Sequence, residues 1–202
     1  MEQLVKFLTE QGILKSPHII DAFHTVDRKD FVLAEYQEQA YEDYPLPIGH
    51  SQTISQPSTV GFMLELLGPT QGEKILDMGS GSGWTTALLA QIAGDQGKVF
   101  GMEIIPELVS FGQKNLQKYH FSNAAILQAT DVLGYPSQAP FDKILVSAAA
   151  KEIPQQLIDQ LVIGGIMVIP IENAVWKIKK VSPKETETQK FEGFVFVPLV
   201  TK

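Results

Sequence analysis

Short apolar runs alternate with segments of helical period along the middle of the chain. The apolar runs predict five buried strands, at residues 74–78, 99–103, 125–128, 143–147 and 166–169. Helical segments follow the first, second and fourth strands, and Gly164 and Gly165 are predicted to end the last of them. Strands and helices that alternate at this length indicate a parallel sheet with helices on both faces.

The pattern changes at both ends of the chain. Residues 1–11 and 16–23 have helical spacing, which predicts two helices ahead of the sheet. Residues 44–57 have neither period, so we expect a long loop there, followed by a helix over residues 58–67.

Near the carboxyl terminus, residues 174–181 and 191–199 predict two strands joined by a polar turn, added antiparallel to the edge of the sheet. We therefore predict an α/β fold with a Rossmann-like, doubly wound sheet of about seven strands. The sheet is mostly parallel with an antiparallel C-terminal edge, and a small helical lead-in precedes it.

Composition limits the classes of protein to consider. With 202 residues, 44% of them apolar, the chain fits one domain. We divide it into a lead-in and loop (1–57), an α/β core (58–170) and a C-terminal hairpin (171–202). The net charge of −7 argues against a nucleic-acid partner, and the lack of cysteine excludes a thiol nucleophile. We expect no metal site, no signal peptide and no membrane partner, and therefore a cytoplasmic protein.

A glycine-rich turn follows the first strand, with the sequence Asp77-Met78-Gly79-Ser80-Gly81-Ser82-Gly83. Alternate glycines allow a sharp turn and a close approach of the backbone to a ligand, and the helix that follows offers free N–H groups. This predicts a nucleotide-like pocket at the carboxyl edge of the sheet. The dinucleotide fingerprint does not fit, because its sixth position is Trp84 or Thr86, and the Gly-Lys of a P-loop is absent.

The Asp-x-Gly-x-Gly-x-Gly pattern resembles the first motif of class I S-adenosylmethionine-dependent methyltransferases. Glu103, at the end of the second predicted strand, and Asp131, after the third, resemble that family's ribose and adenine positions. Any one of these acids alone is more often a solvated loop carboxylate or a helix cap, but three acids at strand ends weaken that interpretation. The resemblance implies S-adenosyl-L-methionine as cofactor, S-adenosyl-L-homocysteine as product, and as cofactor-binding residues Gln52, Ile54, Asp77, Gly79, Ser80, Gly81, Gly83, Glu103, Ile104, Asp131 and Val132.

A closer resemblance, to the protein-L-isoaspartate O-methyltransferases, runs from about Gly12 to the end of the chain. It is carried by the loop Gln52-Thr53-Ile54-Ser55-Gln56-Pro57, the ending Val195-Phe196-Val197-Pro198-Leu199, and segments within residues 139–165. It implies methyl transfer to the free α-carboxylate of L-isoaspartyl residues in damaged proteins or peptides, which initiates their repair. A carboxylate is ionised at neutral pH, so this reaction requires no general base.

The resemblance also implies which residues meet the methyl acceptor. Ser55, with Thr53 as its helper, is implied at the reacting centre, where a hydroxyl orients the attacking carboxylate. Ser55 equally fits the N-cap of the helix that follows, and spacing does not decide between these compatible roles. The implied substrate-binding residues are Ser55, Ala148, Ala149, Val197, Pro198 and Leu199.

Two departures from the family bear on function. Val132 stands where the family usually has a glycine, and the segment after Pro170 is short and lacks the family's glutamine. A relative that binds S-adenosylmethionine but has lost its activity, or uses a different methyl acceptor, therefore stays open as an alternative. We expect the protein to be a monomer.

Overall fold

The structure is a computed structural model that describes residues 1–199. In that range the helices are α1 (Glu2–Glu10), α2 (Pro17–Thr25), α3 (Pro57–Leu67), α4 (Trp84–Ala93), α5 (Pro106–Gln117) and α6 (Gln155–Asp159). The strands are β1 (Leu46–Gly49), β2 (Gln52–Ile54), β3 (Lys74–Met78), β4 (Lys98–Glu103), β5 (Ala124–Gln128), β6 (Phe141–Val146), β7 (Leu161–Ile171), β8 (Ala174–Lys180) and β9 (Thr186–Glu192). None of the helices described has the length and apolar character that crossing a membrane requires.

Seven strands form one sheet in the order β5-β4-β3-β6-β7-β8-β9. The first five strands in this order form four parallel pairs, and β8 and β9 add antiparallel to the edge at β7. The predicted fold class is therefore confirmed. In the register of the central strands, Met78 pairs with both Met102 and Val146, so the carboxyl ends of β3, β4 and β6 lie side by side.

The lead-in packs on the helix that follows the glycine turn. Phe23 of α2 meets Trp84 of α4 edge to face, with ring centroids 5.5 Å apart, and both side chains are buried. Beyond α2, Phe31 stacks on Tyr119 at 5.6 Å, next to the end of α5. Burial of each such ring is worth roughly 2–3 kcal/mol. The lead-in is therefore packed against α4 and the end of α5.

The prediction of a structureless loop at residues 44–57 is wrong. β1 and β2 pair as a two-stranded antiparallel ribbon in which Leu46 faces Ile54. His50 and Ser51 form its turn with positive φ angles of 52° and 57°, as in the tight turns that join hairpin strands. The strands have four and three residues, and Pro47 interrupts the first, so the sequence shows too few alternations for a strand to be predicted.

Two boundaries near the carboxyl terminus also differ from the prediction. Gly164 and Gly165 do not end a helix, because α6 ends at Asp159 and both glycines lie within β7, beside a register shift. The last strand is Thr186–Glu192, earlier than residues 191–199. Residues 193–199 leave the antiparallel edge and return to the carboxyl end of β6, where Pro198 pairs with Ala149 in an isolated bridge.

Candidate active site

A cavity of about 420 Å³ opens at the carboxyl ends of the central strands. Its floor comes from the glycine turn and the ends of β3, β4 and β6, and its walls come from the β1–β2 ribbon and residues 197–199. This volume lies within the range of about 300–1,000 Å³ that is typical of small-ligand sites. The position is the one where open α/β sheets bind ligands.

The glycine turn is shaped by positions that side chains rarely tolerate. Gly79, Gly81 and Gly83 all have positive φ, at 76°, 51° and 88°. A Cβ on Gly83 would stand 2.8 Å from the Ile126 side chain and 3.1 Å from the carbonyl of Gly112. The turn therefore stays open to the cavity on one side and packs α4 closely against α5 on the other.

Asp77 lies beneath the turn, fully buried. Its Oδ2 accepts hydrogen bonds from the hydroxyls of Thr85 and Thr86, at 2.7 and 2.6 Å. Its Oδ1 has no partner within residues 1–199. Burial raises the pKa of Asp77 to about 6, and the two hydroxyls oppose that rise, while the charge on Glu103 adds to it. The site thus holds a buried carboxyl group whose negative charge is poorly compensated, which favours a cationic ligand nearby.

Glu103, at the end of β4, lines the cavity with its carboxylate held in place. Its Oε1 accepts hydrogen bonds from the backbone amides of Ile104 and Ile105 at 2.8 and 2.9 Å, and its Oε2 accepts one from Gly81 at 2.9 Å. These bonds occupy both lone-pair sites of Oε1 and one of Oε2, so Oε2 keeps one free acceptor site, which suits a ribose hydroxyl. Ser80 Oγ and Trp84 Nε1, on two residues that also line the cavity, have no partner within the described range.

The other wall of the cavity brings together distant parts of the chain. Thr53 and Ser55, at the end of the ribbon, line it with Ala148 and with Val197, Pro198 and Leu199. Two backbone hydrogen bonds of 2.8 Å fix the last segment, from the Ala149 amide to the Val197 carbonyl and from the Leu199 amide to the Ala149 carbonyl. Ala149 is thus a backbone support for this wall, and its own side chain is not part of the lining.

Seven of the residues predicted to bind the cofactor line the cavity: Gln52, Ile54, Gly79, Ser80, Gly81, Glu103 and Ile104. Asp77 and Gly83 lie behind that surface. Asp131 and Val132 are exposed and are not part of the lining, with Val132 at 53% exposure. Ala129, at the start of the same loop, does line the cavity.

The structure separates Ser55 from the capping role. The N-cap of α3 is Gln56, and the amide of Ser58 donates to Oδ1 of Asp43 at 2.8 Å. Asp43 therefore acts as the cap from a distant segment. Sequence reasoning missed Asp43, the buried Arg28 and the cavity residue Trp84. The Gly83-Trp84 junction was a usable signal for Trp84, but no local pattern points to the other two residues.

Comparison with known proteins identifies relatives along the whole chain. The family model described as protein-L-isoaspartate(D-aspartate) O-methyltransferase matches residues 1–202. The protein-L-isoaspartate O-methyltransferase of Ignicoccus hospitalis is 40% identical over 203 residues, covering 98% of this chain and 96% of that protein. The one of Methanopyrus kandleri is 39% identical, covering 98% and 90%.

A solved structure shows the same architecture. A Plasmodium falciparum protein described as a protein-L-isoaspartate O-methyltransferase, in complex with S-adenosyl-L-homocysteine, superposes with a TM-score of 0.87 at 26% sequence identity. The superposition covers 99% of this chain and 98% of that one.

Proposed function

The chain belongs to the protein-L-isoaspartate(D-aspartate) O-methyltransferase family, and from that premise we propose which of its residues carry out the family's reaction. The enzyme methylates L-isoaspartyl residues of proteins and peptides with S-adenosyl-L-methionine, which initiates their repair. The cofactor supplies an activated methyl group on a positively charged sulfonium and leaves as S-adenosyl-L-homocysteine.

We assign the cofactor to the floor of the cavity. The carboxylate of Glu103, already oriented by three backbone amides, accepts a hydrogen bond from a ribose hydroxyl at the remaining site on Oε2. Asp77 contributes negative charge beneath the glycine turn, and the orphaned Ser80 hydroxyl and Trp84 indole N–H are available to polar groups of the ligand. Asp131 and Val132 lie in the same loop as the cavity residue Ala129, after Thr130, and we keep them as the predicted contacts at the adenine edge.

We assign the acceptor to the wall that contains Ser55. The hydroxyl of Ser55, with Thr53 beside it, hydrogen-bonds the α-carboxylate and directs one of its oxygens toward the methyl donor. Alignment of reacting groups in this way supplies on the order of 7–11 kcal/mol. Val197, Pro198 and Leu199 offer an extended backbone with which a peptide can pair, and the small side chain of Ala148 leaves room for the isoaspartyl group.

The single observation that carries this assignment is that one cavity is lined by both Glu103 and Ser55, together with residues 197–199. A pocket for the cofactor alone does not need the ribbon and the final segment as walls. Because a negative nucleophile meets a positive sulfonium, charge decreases toward the transition state, so walls that exclude water favour the reaction.

The experiment is methylation of a matched pair of peptides that differ only in an L-isoaspartyl or an aspartyl residue. We expect base-labile label from radiolabelled S-adenosylmethionine on the isoaspartyl peptide alone. Ser55→Ala should lower kcat by about 100-fold through lost alignment, while Ser58→Ala, on the first turn of α3 and outside the cavity lining, should not. Equal labelling of both peptides would contradict the substrate, and a fully active Ser55→Ala enzyme would contradict the role of Ser55.

For the whole protein we further propose a cytoplasmic monomer without a nucleic-acid partner. The net charge of −7 supports the last point, because binding a phosphate backbone relies on surplus lysine and arginine. We keep the division into lead-in with ribbon (1–57), core (58–170) and C-terminal part (171–202) as a proposal within one domain.

A further inference from the structure

Arg28 is a fully buried guanidinium beside the cavity, and none of the roles assigned above uses it. It opens the short 3₁₀ turn Arg28–Phe31, between α2 and the ribbon. Burying a cation is costly unless its donors are paired. The groups that it binds therefore indicate what it stabilises.

All the hydrogen-bond partners of Arg28 are backbone carbonyls of the segment that carries the ribbon. Nη1 donates to Ala40 at 2.8 Å and to Glu42 at 3.3 Å. Nη2 donates to Tyr44 at 3.0 Å and to Ser55 at 3.1 Å. Tyr44 lies just before β1 and Ser55 just after β2, so one planar group holds both ends of the ribbon.

The same guanidinium lies against the cofactor side of the cavity. Its Cζ is 5.4 Å from the centre of the Trp84 ring, within the distance of a cation–π contact. Trp84 is the residue immediately after the glycine turn, and it lines the cavity. Arg28 is thus in contact with the backbone of Ser55 and with the start of α4.

Asp43 holds the other side of Ser55. Its Oδ1 accepts from the amide of Ser58 at 2.8 Å, and its Oδ2 accepts from the side-chain amide of Gln56 at 3.2 Å. Burial lowers the pKa of Arg28 to about 10, and the charge of Asp43 opposes that shift, so the guanidinium is charged at neutral pH. Ser55 lines the cavity, with its own carbonyl bound by Arg28 and the following residues Gln56 and Ser58 bound by Asp43.

We propose that Arg28 is a positioning residue for methyl transfer, which holds the backbone of Ser55 in register with the glycine turn. The inference rests on the proposed function of Ser55. Lysine cannot replace Arg28, because an ammonium group lacks the planar fork that reaches both ends of the ribbon and does not stack in the same way on an indole ring.

The test is Arg28→Lys in the full chain, assayed with the isoaspartyl peptide well below its melting temperature. We expect kcat to fall by about 100-fold, as for a misplacement of roughly 1 Å at a reacting group. The Kd of S-adenosylhomocysteine, measured by calorimetry, should stay within about threefold, because Arg28 does not line the cofactor floor. A kcat near wild type, or a Kd that rises in parallel with the loss of kcat, would overturn the proposal.

A matched control separates positioning from loss of stability. Phe31 lies in the same 3₁₀ turn, is fully buried and stacks on Tyr119, away from Ser55. Phe31→Leu should lower the melting temperature and leave kcat within about threefold of wild type, as expected for a mainly structural site. Equal losses of kcat in Phe31→Leu and Arg28→Lys would contradict a specific role for Arg28.

A double-mutant cycle tests whether Arg28 acts through Ser55. If it does, Arg28→Lys costs little further activity in a Ser55→Ala enzyme, so the two losses are far from additive. Additive losses would overturn the proposal. If Arg28→Lys does not fold, Asp43→Asn is the deciding variant. It loses the acceptor for Gln56, and we expect a several-fold loss of kcat with an unchanged Kd of S-adenosylhomocysteine. An unchanged kcat in that variant would overturn the proposal.

These outcomes are distinct from a failure of the proposed function. A wild-type chain that labels neither peptide would refute that function, and the inference with it. The inference alone is refuted if the wild-type chain is active and Ser55→Ala is impaired but Arg28→Lys is not.

Discussion

The difference in unfolding free energy between Asp77→Asn and wild type should favour the variant more at neutral pH than at acidic pH. The folded protein raises the pKa of Asp77 from 3.8 to about 6, chiefly because the carboxyl group is buried. The folded state therefore holds this proton more tightly than the unfolded state. The stability that it contributes is present below pH 4 and is lost as the pH rises toward 6. Asparagine has no charge to desolvate, and its oxygen can still accept from Thr85 and Thr86.

The size of the effect follows from these two values. One pKa unit is worth about 1.36 kcal/mol, so the wild type loses about 3 kcal/mol across the whole transition, and about 2 kcal/mol of that between pH 4.5 and 7. The measured quantity is the difference in unfolding free energy between Asp77→Asn and wild type, from urea titrations at pH 4.5, 5.5 and 7. Taking the difference cancels the other titrating groups, provided that they are unchanged.

Asp95 provides the control, because it is exposed on the turn after α4. Asp95→Asn should differ from wild type by a constant amount at all three pH values. A difference for Asp77→Asn that is equally flat would refute the argument, because it would mean that the buried carboxyl does not titrate in this range. Stability measured without cofactor is essential, since a cationic ligand favours the ionised form.

Three further predictions follow from the cavity. The affinity for S-adenosylmethionine should weaken by up to about tenfold from pH 7.5 to pH 5, as Asp77 becomes protonated, and calorimetry on Asp77→Asn should not show this change. Glu103→Gln should raise the Kd of S-adenosylhomocysteine at least tenfold, because charge-assisted hydrogen bonds are worth about 1.5–3 kcal/mol; the exposed Glu107→Gln is the control. Phe194→Ala removes a ring stacked on Phe62 of α3 at 5.1 Å. Phe194 lies in the segment that leads to the wall at residues 197–199, so its loss should loosen that wall. The peptide KM should rise by about 3–10-fold, the worth of one aromatic pair, and the Kd of S-adenosylhomocysteine should not change.

The sequence predicts the parts of this protein that depend on local pattern. The central strands have strongly apolar runs, so their number and order of appearance could be predicted, and each predicted acid lies at or just after the carboxyl end of a strand. Asp77 and Glu103 therefore lie near the same edge of the sheet, because parallel strands present their carboxyl ends there. The glycine positions of the turn are equally local, and all three have the positive φ that their type allows.

Tertiary contacts determine the parts that sequence reasoning missed. The ribbon has strands of only four and three residues, and its position depends on a guanidinium from a segment before it. The final segment looked like a strand because it is apolar, but its partner is Ala149 rather than β8. Spacing alone also does not reveal that the side chain of Asp131 is exposed outside the lining, so its contact with the adenine stays a prediction.

The pairing of Pro198 with Ala149 has a consequence for the order in which the enzyme becomes competent during synthesis. A ribosome releases the glycine turn and Ser55 well before the wall formed by residues 197–199. Chains still being translated can fold the cofactor floor before they have a complete acceptor site. Premature termination after β9 should therefore yield a protein that sequesters S-adenosylmethionine without transferring its methyl group. Repair activity thus requires chains that extend through residue 199.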